Sequence, residues 1–97
     1  MKPVRFILPA EQEMLDAAMY YESKAHMLGE DFLDRVDAAV SDIVENPQRW
    51  PIVRFNVRRR LVRRYPFAVL YHDVENEIVI LAVMHQKRQP SYWFKRV

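Results

Sequence analysis

The stretch from Arg58 to Arg88 constrains this chain most. It holds two apolar runs, Phe67 to Tyr71 and Ile78 to Met84, on either side of the polar Asp73-Val74-Glu75-Asn76-Glu77. Both runs are rich in β-branched and aromatic residues, so they read as strands and the interval between them as the turn of an antiparallel hairpin. Successive positions in each run are apolar, which means that both faces of the hairpin need cover. One face can take helices. The other must be covered by the tail, by a partner chain, or stay open as a concave binding surface. Just before the hairpin, five arginines fall within seven positions, Arg58 to Arg64, interrupted by Leu61-Val62. Strand alternation sends Arg59, Leu61 and Arg63 to one face and Arg58, Arg60, Val62 and Arg64 to the other. Neither face is wholly apolar, which sets this strand beside solvent or a groove.

Upstream, Val4 to Leu8 is a short apolar segment closed by Pro9 and reads as a first strand. Pro9 suits the first turn of a helix, where its missing N–H is no loss, with Glu11 and Glu13 toward the positive end of the dipole. Met14, Ala18, Tyr21 and Ala25 recur at helical spacing as the inward face, leaving Glu13, Asp16 and Lys24 in solvent. The single glycine, Gly29, is expected to close this helix in the left-handed conformation. A second helix presents Phe32, Val36, Ala39, Val40 and Ile43 on one face and stops at Asn46-Pro47. Gln48 to Phe55 reads as a connecting loop with Trp50 as a packing anchor, and Gln86 to Val97 as a tail with a helix start at Pro90-Ser91. The expected fold is α+β: an N-terminal strand, an antiparallel helix pair, then a three-stranded antiparallel sheet with a short C-terminal tail, all of residues 1–97 in one domain.

Composition narrows the chemistry. The chain has no Cys, which excludes disulfides, thiolate nucleophiles and Cys-based zinc sites. One Gly leaves no Gly-rich phosphate loop, and no His and carboxylate cluster has metal-ligand spacing, so neither a metal nor a cofactor is expected. The longest apolar run, Ile78 to Met84, is far below the roughly 20 residues that span a bilayer. The N-terminal apolar patch runs into Pro9 and acidic residues instead of a small-residue cleavage site, so the expectation is a soluble cytoplasmic protein with no membrane partner. The net charge of +2 conceals a division at Asn46: four Lys/Arg against ten Asp/Glu before it, eleven against three after it. The basic half is suited to phosphates or an acidic partner, or is an internal complement to acidic helices.

The order of these elements carries a resemblance. The helix ends in Glu45-Asn46-Pro47 followed by Trp50-Pro51, and the basic strand runs into Arg64-Tyr65-Pro66-Phe67 and on to Val69 and Tyr71. The final strand ends in Ala82-Val83-Met84-His85, followed by Arg88, Pro90, Tyr92 and Trp93. Together these resemble the RelE/ParE superfamily of type II toxin–antitoxin toxins. The resemblance implies one of two activities: RelE-like members are ribonucleases that cleave mRNA in the ribosomal A site, and ParE-like members poison DNA gyrase and cleave nothing. It also implies a cognate antitoxin that holds the toxin inactive and whose DNA-binding part takes the complex to operator DNA.

Metal-independent RNA cleavage needs a base for the 2′-hydroxyl, cations for the phosphorane and an acid for the leaving oxygen. By the resemblance, Arg63 or Arg64 would hold the scissile phosphate, with Arg88 as a second contact. His85 would be base or acid, and Tyr92 a proton carrier or a stacking surface. Arg58, Arg59, Arg60 and Lys87 would bind RNA. The bland alternative is that His85 caps a strand and Tyr92 packs in the tail. Arg58, Arg59 and Arg60 stand where catalytic members often carry lysines, arginine cannot act as a general base at neutral pH, and His85-Gln86 resembles the ParE-like ending of the strand. The expected function is therefore a growth-arresting toxin acting as a ribosome-dependent mRNA endoribonuclease, with a non-catalytic gyrase inhibitor and an inactive antitoxin-binding relative as the other readings.

Overall fold

The apolar hairpin sits at the centre of the molecule. In the computed structural model, which describes residues 1–97, the elements are β1 (Val4–Phe6), α1 (Leu8–Lys24), α2 (Leu28–Glu45), β2 (Ile52–Arg54), β3 (Val57–Leu61), β4 (Phe67–Asp73), β5 (Ile78–His85) and a C-terminal 3-10 helix (Pro90–Arg96). The strands form one sheet in the order β1-β5-β4-β3-β2. β1 runs parallel to β5 and every other pair is antiparallel. The α+β reading with a helix pair on one face and a short C-terminal segment therefore stands, but the sheet has five strands where three were expected.

Of the two additional strands, β2 escapes a periodicity argument, and β1 was expected as a strand but not as a member of this sheet. β2 lies within the segment expected to be a loop; it has three residues, all exposed, and its register shifts between Ile52 and Arg54. What holds it is a two-residue turn at Phe55-Asn56, both at positive φ (54° and 61°), with Arg54 paired to Val57. This is the geometry that matches strand twist, formed here without glycine. β1 is the expected N-terminal strand, shortened to Val4–Phe6, and it completes the sheet by pairing with Ile78 to Ile80.

The helix pair is packed through small residues. α1 begins at Leu8 with Pro9 in its first turn, as its sequence dictates. It ends at Lys24, not at Gly29, and Ala25 is exposed. The left-handed residue between the helices is Met27 (φ 69°), and Gly29 is the second residue of α2. Gly29 is there for space: a Cβ on it would lie 2.4 Å from the carbonyl oxygen of Ala18 in α1. The N-terminus of α2 is capped by the preceding helix, since Glu22 accepts hydrogen bonds from the N–H groups of Met27 (3.1 Å) and Gly29 (3.0 Å). α2 buries Phe32, Val36, Ala39 and Ile43, and ends at Glu45 before Asn46-Pro47.

Two cores result, one on each side of the sheet. Phe67, Val69, Tyr71, Ile78, Ile80 and Val83 pack against the helices. Val57, Ala68, Leu70, Val79, Leu81 and Ala82 face the other way and are covered by Trp93 of the C-terminal 3-10 helix, which is 3% exposed. The tail is thus the cover that the second apolar face required. Burial pushes the Tyr71 hydroxyl up to about 12, and it donates to the carbonyl of Pro47, fastening the loop after α2 to the sheet. No helix is long and apolar enough to cross a membrane.

Candidate functional site

β5 changes character halfway along. It pairs residue for residue with β4 until Leu70↔Ala82, then resumes at Tyr71↔Ile80, so Leu81 is an extra residue in a β-bulge. Leu81 and Ala82 consequently both face the outer core, while Val83 and His85 turn to the helix side. β1 accompanies β5 only to Ile80. Beyond that point side chains take the place of a neighbouring strand. Glu13 accepts from the Val83 N–H (3.1 Å), and Arg96 donates to the Leu81 carbonyl (3.0 Å). The two side chains also pair with each other through both guanidinium Nη atoms, at 3.0 and 3.1 Å. Glu13 was expected in solvent, yet its side chain is only 14% exposed. Helical periodicity gave no signal for it, because its partners come from the far end of the chain.

Around this pair lies a cleft of about 510 Å³ between α1 and the end of β5, lined by Glu13, Asp16, Tyr20, Tyr21, Phe67, His85 and Arg88 among others. Two of the five residues expected at a nuclease centre, His85 and Arg88, line it, and a third, Tyr92, lies against Arg88. His85 is half-buried, its ring edge-on to Phe67 with centroids 5.1 Å apart. Its Nδ1 accepts the Lys87 N–H at 3.0 Å, which leaves the proton of the neutral ring on Nε2. Arg88 lies 3.5 Å from Glu13 and stacks on Tyr92, its guanidinium 3.7 Å from the ring centroid. Arg96 stacks there too, at 4.9 Å. The Tyr92 hydroxyl is buried with no hydrogen-bond partner, and burial beside the Glu13 carboxylate raises its pKa well above that of a free tyrosine.

Arg63 and Arg64 are placed elsewhere. Arg63 lines a small hollow against α2 with Arg35, Asp42 and Arg60. Arg64 is held at positive φ (72°) and lies 3.7 Å from Asp31, which also accepts from the Tyr65 hydroxyl at 2.6 Å. Burial, followed by that hydrogen bond, pushes Tyr65 up to about 12.

The arginines of β2 and β3 divide by face, as alternation requires. On the helix side, Arg58 donates to the carbonyls of Gln48 and Trp50, and Arg60 pairs with Asp42 (2.9 Å) while stacking on Trp50 (4.1 Å). These two act as structural ties, and Trp50 is the packing anchor expected of it. On the outer face, Arg59 has no carboxylate within 4.0 Å, and neither has Arg54, which sequence reasoning passed over as part of a loop. Lys87 is exposed in the turn after β5.

Known proteins then give this arrangement a family. The model of the ParE toxin of type II toxin–antitoxin systems, parDE, matches residues 4–90. Among solved structures, the chain is similar to one from the chromosomal ParDE toxin–antitoxin system of P. aeruginosa, with 20% identity, a TM-score of 0.66, and coverage of 88% of this chain and 96% of that one. At that identity the likeness speaks for the fold. No curated protein matches the sequence. A family model that spans the first strand, the helix pair and the whole sheet is decisive: the chain belongs to the ParE toxin family of type II toxin–antitoxin systems.

Proposed function

We propose that this toxin arrests growth by binding DNA gyrase, without cutting RNA, and that a cognate antitoxin neutralises it and takes the complex to operator DNA. The observation that carries this reading is the composition of the cleft that holds His85. Its walls include the carboxylates of Glu13 and Asp16, and Glu13 already engages Arg88 and Arg96. A scissile phosphate would meet two like charges there and only cations that are in use. Tyr92 is a poor proton carrier with its hydroxyl buried and its pKa raised. Arg63 and Arg64 lie against α2, paired to or beside its carboxylates. The membership in the ParE family agrees with a mode of action through protein contact.

Two assays run side by side test this. Purified toxin added to gyrase, relaxed plasmid and ATP is expected to stop supercoiling and accumulate cleaved DNA, while mRNA in a translation extract with the same toxin stays whole. Intact supercoiling together with mRNA cut inside reading frames would reverse the conclusion. It would restore the endoribonuclease reading, with Arg63, Arg64, His85, Arg88 and Tyr92 as its centre and Arg58, Arg59, Arg60 and Lys87 on the RNA.

A further inference from the structure

The outer face of the sheet carries a second concavity, of about 390 Å³, between the β2–β3 hairpin and the C-terminal 3-10 helix. Its floor is Leu70, Met84 and Trp93, and its rim holds Arg54 and Arg59. No carboxylate lines it, in contrast to the cleft beside His85. On the helix side Arg60 is paired with Asp42 and Arg58 is taken up by two backbone carbonyls, whereas these two arginines have neither kind of partner.

Arg54 is also held in place. Its guanidinium lies over both Phe55 (4.8 Å) and Phe94 (5.0 Å), whose rings meet edge to face with centroids 5.2 Å apart. A stacked guanidinium loses little further freedom when its edge meets a carboxylate, so the cation is ordered before any partner arrives. Phe55, in the β2–β3 turn at positive φ, remains half exposed, at 50%. Val53, beside it on the rim, is 42% exposed.

We propose that this groove seats a segment of the cognate antitoxin in which carboxylates flank an aliphatic side chain. The aliphatic group enters over Leu70, Met84 and Trp93, and the carboxylates take the free edges of Arg54 and Arg59. A nucleic acid fits less well, since base stacking needs open ring faces. Here Phe55 and Phe94 already stack on Arg54, and Phe94 meets Trp93 edge to face at 4.9 Å. The proposal rests on the antitoxin as partner and adds where and by what chemistry it is held.

The test uses full-length toxin and the protein encoded by the reading frame adjacent to its gene, purified by co-expression and separated by denaturation and refolding. Affinity is measured for wild type, for R54E/R59E, for the milder R54A/R59A, and for R49E/R63E, which alters two exposed arginines on the helix side. Circular dichroism establishes that each variant is folded. The expected result is a loss of roughly 100-fold for the charge reversal and a smaller loss for the alanine pair, with R49E/R63E within tenfold of wild type. Equal losses for both reversals would show a diffuse electrostatic effect and overturn the proposal. So would unchanged antitoxin affinity in the groove variants, including the case in which they instead lose binding to a single-stranded oligo(dT) probe. Failure of wild-type toxin to bind the adjacent product would remove the partner itself, a result distinguishable from failure of the groove.

Discussion

Gly29→Ala is expected to destabilise this protein although alanine is the better helix former. Propensity alone would favour alanine by about 1 kcal/mol inside α2. Against this, the new Cβ would stand 2.4 Å from the Ala18 carbonyl oxygen and 3.0 Å from Glu22 Cβ. The first obstacle is main chain, so no side-chain rotation relieves it; α1 and α2 must separate by roughly an ångström, which overpacking series place at about 1–3 kcal/mol. Moving Glu22 aside would also give up its 3.0 Å bond from the Gly29 N–H, about 1 kcal/mol more. The net expectation is a loss of about 1–3 kcal/mol, or a Tm lowered by roughly 5–20 °C for a chain of this size. Thermal and urea unfolding followed by circular dichroism would read it. A Tm equal to or above wild type would show that propensity wins and that the helices do not meet as closely as described. Because the clash is with a carbonyl, Ala18→Gly should not rescue the variant.

Three further outcomes follow from the same contacts. Glu13→Gln leaves Arg96 largely buried without its counter-charge and should lower stability by about 2–4 kcal/mol, with faster proteolysis of the tail; a change within about 0.5 kcal/mol would contradict the tie described for Glu13. The Met27 and Gly29 N–H groups hold the Glu22 carboxyl below its ordinary 4.5, so its contribution is present above that value and is lost as pH falls through the lower folded value. Glu22→Gln should accordingly flatten the acid limb of stability against pH, and an unchanged limb would refute the cap. Tyr65 and Tyr71 ionise at about 12 when folded, so their contribution persists below the ordinary 10 and is lost as pH rises through about 12. Ultraviolet absorbance titration should show late-ionising tyrosines, with Tyr71→Phe removing one; normal ionisation of all five tyrosines would speak against the burial.

The parts of the fold that were legible in the sequence are those with a period and a length. The α2 face from Phe32 to Ile43 could be read because burial had selected every third or fourth residue, and the two-sided hairpin because it had selected successive ones. β2 carried no such mark, being three exposed residues held by a turn that uses Phe-Asn where Asn-Gly would have signalled it. Gly29 was misread since a glycine can serve conformation or space, and only the neighbouring helix distinguishes the two. Around the candidate site, the grouping of His85, Arg88 and Tyr92 at the end of β5 was within reach, being local in sequence. Glu13 was not, because its pairing with Arg96 joins positions near opposite ends of the chain, and no local pattern records a contact of that span.

That span also makes the C-terminal 3-10 helix a latch on the sheet. Arg96 pairs with Glu13 and seals the Leu81 carbonyl, while Trp93 of the same 3-10 helix covers the outer core. Lifting that helix would bare a main-chain edge and an apolar face at the same time. A toxin with that segment peeled back is therefore adhesive along one edge, and holding it down keeps the sheet from recruiting other chains.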